Sequence, residues 1–267
     1  MIFIIGSGPA GISAALYLKR SNLPVTIITN HKSVLMKAAS IENYYGTGQI
    51  SGADLYASGI DSAINLDIPI IEDEVLNISE EEDFIITGSK SAYNADCIIL
   101  ATGTSRKKEV IPNAELFEGK GVSYCATCDG YFFKKKKIAV IGNGEYANHE
   151  HEYLQNITND ISLYSIEEIK EIIGNEKIEH IVLKDDTRVP IDGIFIALDY
   201  PDSSILAKKL GILQNNRYII VDDDMQTNIP GILACGDVTG SKQIASAVYQ
   251  GMVAATSASK YYKQKHD

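Results

Sequence analysis

The chain has 267 residues, 45% of them hydrophobic, which suffices for one large or two small domains with true apolar cores. A net charge of -11 argues against nucleic acid or an anionic membrane as the main partner, because phosphate binding needs clustered Lys and Arg. No stretch reaches the ~20 apolar residues of a membrane span. The opening Met1 to Ile5 lacks the basic region and cleavage site of a signal peptide, so a first strand and a cytoplasmic protein are expected.

In chain order, the apolar run Phe3 to Ile5 leads into Gly6-Ser7-Gly8-Pro9-Ala10-Gly11, then Ile12 to Lys19 at helical spacing, then Val25 to Ile28. That reads as strand, glycine turn, helix, strand. The glycines permit a tight turn and close backbone approach, so a pyrophosphate can meet the helix N-terminus. The acid usual about twenty residues on, which holds a ribose hydroxyl, is absent, and Thr29-Asn30 stand there. Glu80 to Asp83 reads as an acidic turn, and Asp96 to Leu100 as an apolar strand entering Ala101-Thr102-Gly103.

A second such unit runs through Ile138 to Ile141, Gly142-Asn143-Gly144 to Ala147, a helix to about Ile157, and Ile161 to Tyr164. Gly231 to Asp237 is another buried strand ending on Gly236-Asp237, and a helix is expected from about Ile244 to Tyr262. The pattern predicts an α/β protein with two Rossmann-like dinucleotide-binding-type domains, the second inserted in the first. The expected division is 1–112 with 222–267 for the first domain and 113–221 for the middle one.

Between the two units stands Tyr124-Cys125-Ala126-Thr127-Cys128-Asp129-Gly130. A CxxC brings two sulfurs within disulfide reach and tends to lower one thiol pKa. Asp129 is placed to exchange a proton as thiol and thiolate interconvert. Half a zinc site is the alternative, but Cys97 and Cys235 are isolated on apolar strands and read as core residues. His149 and His151, two apart on a helix, point in different directions, so no metal is expected. The basic runs Arg106 to Lys108 and Lys134 to Lys137 read first as solvated loops.

Together, the first glycine turn, Ala101-Thr102-Gly103, Gly236-Asp237 ahead of Gln243-Ile244-Ala245, and the CxxC with Asp129 resemble the low-molecular-weight, bacterial-type thioredoxin reductases. The likeness is greatest to those that depend on ferredoxin and not on NADPH, and it covers nearly the whole chain. It implies FAD in a three-layer ββα domain, held by Gly6, Ser7, Gly8, Pro9, Ala10, Gly11, Asn30, Asn43, Val75, Ala101, Thr102, Gly103, Gly236, Asp237, Gln243, Ile244 and Ala245. It further implies Cys128 as the flavin-side sulfur, Cys125 as the attacker of a partner disulfide, Asp129 as the acid–base residue, thioredoxin as acceptor, and a homodimer.

One departure from that pattern concerns the electron donor. The family places a His-Arg-Arg cluster and a further Arg where this chain has Ser165, Ile166, Glu167 and Glu168. The 2′-phosphate of NADPH would meet carboxylates there in place of guanidinium forks, so NADPH is not expected. NADH stays open, because an acid about twenty residues past the glycines is its signature. Against NADH, the glycine usual after the late strand is replaced in 198–201, Leu-Asp-Tyr-Pro. Lys32-Ser33-Val34 also replaces a Gly-Gly-Gln stretch and removes one side-chain amide from the flavin's surroundings.

Ferredoxin is the expected donor. A ferredoxin at about -400 mV driving a thioredoxin at about -270 mV releases roughly 6 kcal/mol for two electrons. The basic runs then acquire a role in steering an acidic ferredoxin. The alternatives kept open are an NADH-dependent disulfide reductase, a dithiol oxidase, and a redox-sensing flavoprotein without turnover.

Overall fold

The computed structural model of the chain describes residues 1–103, 111–124, 126–198 and 203–266, with Cys128 and Ser203 described by their backbone only. The chain opens with β1 (Ile2–Ile5), α1 (Pro9–Arg20), β2 (Val25–Thr29), α2 (Gly52–Ile64) and β3 (Ile70–Glu72). Next come β4 (Val75–Glu80), β5 (Phe84–Gly88), β6 (Ala92–Ala95) and β7 (Cys97–Leu100). The middle holds β8 (Val122–Ser123), α3 (Ala126–Asp129), β9 (Ile138–Ile141), α4 (Glu145–Gln155) and β10 (Ile161–Tyr164). It continues through β11 (Ile169–Gly174), β12 (Ile178–Leu183), β13 (Arg188–Pro190) and β14 (Gly193–Ile196). The chain closes with α5 (Ser203–Lys209), β15 (Gln214–Asn215), β16 (Tyr218–Ile219), β17 (Ile232–Ala234) and α6 (Ile244–His266).

Two compact units result, one from Met1–Arg106 with Asp202–Asp267 and one from Lys107–Pro201. In the first, a five-stranded sheet has the order β17-β7-β1-β2-β3, with every pairing parallel. β1, β2 and β7 are buried along their whole length, as central strands covered on both faces must be. One face packs on α1 and α6, where Ala14, Ala15, Ala254, Ala255 and Ala258 let the helices approach closely. The other face, through Phe3, Ile5 and Ile98, shares a core with the antiparallel β4-β5-β6 sheet. Sheet, sheet and helices make a three-layer ββα arrangement.

The second unit repeats the design in smaller form. Its parallel sheet β10-β9-β14-β8 shares an apolar core with the antiparallel β11-β12-β13 sheet, through Ile141, Ile194 and Ile196 against Ile172, Ile178 and Ile181. Among the described residues no helix is long and apolar enough to cross a membrane.

The structure corrects the expected boundary at residue 222. Residues 203–221 pack with the first unit, because Leu206, Ala207, Ile212 and Ile219 bury themselves against the Phe3, Val75 and Phe84 side of that core. The last helix also runs past Tyr262 to His266, where His266 Nε2 lies 3.2 Å from Asp96 and Lys265 pairs with Asp83.

Candidate active site

A cleft of about 330 Å³ opens in the first unit beyond the carboxyl ends of the parallel strands, where open α/β sheets bind ligands. Gly6, Ser7, Gly8, Pro9, Ala10, Ala101, Thr102, Gly103, Gly236, Asp237, Gln243, Ile244 and Asn30 line it, all of them anticipated from sequence. The glycine turn follows from sterics. Gly6 has φ +110°, and a Cβ there would stand 2.3 Å from the Ala101 carbonyl oxygen, so the turn lies flush on the end of β7. Gly11 does not line the cleft, but its Cβ would lie 1.9 Å from the Gly6 oxygen, so it lets α1 start against the turn.

Gly8 caps α1 in an extended conformation with no side-chain cap, and Pro9 occupies the first turn. Backbone amides at a helix start without a capping side chain form an anion site. This cradle fits the pyrophosphate of FAD. Across the cleft, Gln250 fixes the Gly236-Asp237 turn by accepting hydrogen bonds from Gly236 N at 2.8 Å and Thr239 Oγ1 at 3.0 Å. Burial pushes the Asp237 carboxyl up, and Lys242 opposes that shift.

Other anticipated contacts fall differently. The Ser7 hydroxyl is already engaged by the protein, 2.6 Å from Thr29 Oγ1, which also lines the cleft, and 2.7 Å from Tyr56 Oη, and Tyr56 lies 3.1 Å from His31 Nδ1. Asn43 and Ala245 are exposed and outside the cleft lining, and Val75 is buried in the core. Sequence reasoning missed Lys32 and Lys242, which line the cleft. It also missed that an acid does reach the end of β2, from elsewhere in the chain. Glu74, in the loop after β3, accepts from Asn30 Nδ2 at 2.9 Å and from Lys32 Nζ at 2.8 Å. The parallel pairing of Thr29 with Glu72 is the signal that brings Glu74 there.

In the second unit, Cys125 and the Cys128 side chain lie outside the described residues, as do Arg106 to Lys108 and Asp199 to Pro201. The CxxC segment enters α3, and Asp129 Oδ2 accepts a hydrogen bond from Ser123 Oγ at 2.6 Å. The next turn, Gly130–Phe133, leaves Tyr131 74% and Phe132 70% exposed. Lys134 Nζ stands 5.8 Å from the Tyr131 ring and Lys136 Nζ 5.3 Å from the Phe133 ring, within reach for cation–π attraction. Cys97 and Cys235 are free and buried, and burial pushes both thiols up to about 12, which makes them inert.

The second glycine turn keeps its shape. A Cβ on Gly142 would lie 1.9 Å from the Ala197 oxygen, and Gly144, at φ +82°, caps α4 without a side chain. The end of β10 beside it is acidic. Glu167 accepts from Asn143 Nδ2 at 3.0 Å, and that hydrogen bond holds its carboxyl below the usual range. Glu168 Oε2 accepts from Ser165 N at 2.7 Å in a capping box.

Two glycine-turn ββα units, the first with a helix-start cradle suited to a pyrophosphate, define a two-domain protein of Rossmann type. The chain belongs to the pyridine nucleotide-disulphide oxidoreductase family, whose profile it matches over residues 1–163 and 145–251. Within that family its homologues are bacterial-type thioredoxin reductases. It is 30% identical to the thioredoxin reductase of Listeria monocytogenes, over 98% of this chain and 94% of that one. In structure it is similar to the atypical thioredoxin reductase TRi from Desulfovibrio vulgaris Hildenborough, with TM-score 0.92 and 32% identity over 99% of this chain and 98% of that one. It is also similar to a ferredoxin-flavin thioredoxin reductase from Clostridium acetobutylicum, with TM-score 0.74 and 32% identity over 98% of both chains.

Proposed function

We propose that the protein is a FAD-dependent disulfide reductase that accepts electrons from a reduced ferredoxin and delivers them through Cys125 and Cys128 to a thioredoxin-type disulfide. The carrying observation is the acidic end of β10, where Glu167 is held by Asn143 beside the second glycine turn. A 2′-phosphate at that place meets a carboxylate held ionised, where recognition calls for a guanidinium that receives it bidentately. The similarity to a ferredoxin-flavin thioredoxin reductase supports the same reading. FAD, when bound, supplies the redox centre between donor and dithiol, and the first unit's glycine turn, Asp237 and Gln243 are the residues to hold it.

The chain's own groups account for the output side. Asp129, oriented by Ser123, holds a carboxyl next to Cys128 in the sequence and serves to move a proton during thiol–disulfide exchange. Tyr131 and Phe132 offer an apolar landing surface immediately after the dithiol segment, rimmed by Lys134 to Lys137. An acidic protein bearing a disulfide or an iron–sulfur centre suits that surface.

Glu167 also suits the diol of an NADH adenosine ribose. Anaerobic mixing of the flavin-loaded protein with NADPH, NADH or reduced ferredoxin, followed at the flavin's visible band, separates these. Bleaching by ferredoxin alone is the expected result. Bleaching by either nicotinamide nucleotide at micromolar concentration would overturn the proposal, with NADH alone establishing the second reading.

A further inference from the structure

The inner face of α4 consists of Tyr146, Ala147, Glu150 and Leu154, spacing that ordinarily carries apolar residues toward a core. Glu150 is the exception. Its side chain is 2% exposed, so the fold accepts the desolvation of a carboxylate where an aliphatic residue would pack. What the carboxylate does there is specific. Its Oε2 accepts a hydrogen bond at 3.0 Å from the backbone amide of Ala126, itself fully buried, and its Oε1 lies 3.4 Å from His149 Nδ1. The Ala126 amide is the peptide nitrogen joined to Cys125, so a buried carboxylate grips the backbone of the CxxC itself.

We propose that Glu150 is a positioning residue for the dithiol that also sets it strongly reducing. This rests on the reading of Cys125 and Cys128 as the redox pair. Two effects of the carboxylate act in the same direction. It occupies a peptide donor adjoining Cys125 that would otherwise be open to stabilise a thiolate, and its negative charge opposes thiolate formation nearby. Destabilising the thiolate destabilises the reduced form, and a couple whose reduced form is disfavoured is the stronger reductant. In the exchange concerned, a thiolate of the pair attacks the partner disulfide, one partner sulfur leaves, and the second thiol resolves the mixed disulfide. The pair ends as a disulfide and the partner as a dithiol, with two electrons and two protons transferred. Glu150 drives that equilibrium toward the reduced partner.

The test is the equilibrium of the Cys125–Cys128 couple in the flavin-loaded, full-length protein against a dithiothreitol redox buffer, read by alkylation of the free thiols. Glu150→Gln keeps the shape and an acceptor for Ala126 while removing the charge. It is expected to shift the equilibrium about tenfold toward the dithiol, or roughly 30 mV less reducing for a two-electron couple. Glu150→Asp keeps the charge with a shorter reach and is expected to shift it about threefold the same way. A Glu150→Gln couple within about twofold of the parent would overturn the proposal. Should that variant not fold, an unchanged Glu150→Asp equilibrium would overturn it. If the parent forms no such disulfide at all, the redox reading of the CxxC fails, which is distinct from an intact couple indifferent to Glu150.

Discussion

Replacing Gly11 by Ala places a methyl group 1.9 Å from the Gly6 oxygen, whereas ordinary contact begins near 3.4 Å, so a gap of about 1.5 Å must open. Neither side has room to give. Gly6 is pressed on Ala101, and α1 is pressed on α6, where a Cβ on Gly251 would meet the Ala10 oxygen at 2.2 Å. Overpacking of this kind costs about 1–3 kcal/mol. At roughly 2–4 °C per kcal/mol for a chain of this size, the melting temperature should fall by about 2–12 °C. The helix start is displaced from the cradle by the same movement, so flavin should be lost on gel filtration, read as the ratio of visible to ultraviolet absorbance. Gly8→Ala is the control. Its nearest neighbour would be Ser33 Oγ at 3.9 Å, so the melting temperature of the apoprotein should hold while the methyl group enters the cleft and flavin is lost. A Gly11→Ala protein that keeps its melting temperature within about 1 °C and its full flavin would refute the steric origin of the turn.

Asp73 offers a stability prediction. Burial pushes its carboxyl up, but hydrogen bonds from Tyr93, Ser89 and the amides of Glu74 and Lys90 outweigh that and leave it lowered. Because the folded pKa lies below the unfolded value, the stabilisation is present above about pH 4 and disappears as pH falls through the folded pKa. Tyr93→Phe should therefore cost about 1–2 kcal/mol in denaturant melts at about pH 7, with the difference shrinking toward about pH 3. Asp129→Asn should slow reduction of a thioredoxin-type disulfide by about tenfold or more without changing flavin content, measured by insulin-coupled turnover. Neutralising Lys134 to Lys137 should slow ferredoxin-linked turnover several-fold at low salt and converge with the parent at about 0.5 M salt, where screening removes steering. An unchanged rate at low salt would remove that role for the lysines.

The parts of the site that sequence made legible are those dictated by backbone sterics. Gly6 and Gly11 announce a strand–turn–helix because no other residue fits there, and Gly236-Asp237 announces a strand ending at a turn. Side-chain partners across the fold were hidden. Glu74 reaches the end of β2 only through the pairing of β2 with β3, and Ser7 turns to Thr29 and Tyr56 through packing that no local pattern encodes. No local charge pattern marks Lys32 or Lys242 as a cleft residue, and only the folded cleft brings the two lysines into one lining. The boundary at 222 erred because the short elements α5, β15 and β16 carry no glycine motif, and only their buried apolar residues reveal which core they join. Glu150 hid for a different reason, as one acid among several in a helix that reads EYANHEHEYLQ.

The central claim, that electrons leave through the Cys125–Cys128 pair, is tested most directly in a single turnover. The flavin-loaded protein is reduced anaerobically by light, freed of excess reductant, and mixed with an oxidised thioredoxin while the flavin band and the thioredoxin thiols are followed together. The photoreduced parent holds two electrons on the flavin and two on the dithiol, so full reoxidation should return the visible band with two thioredoxin disulfides reduced per flavin, and neither Cys125→Ser nor Cys128→Ser should yield thioredoxin thiols. Thioredoxin reduction at the parent rate in either serine variant would contradict the claim.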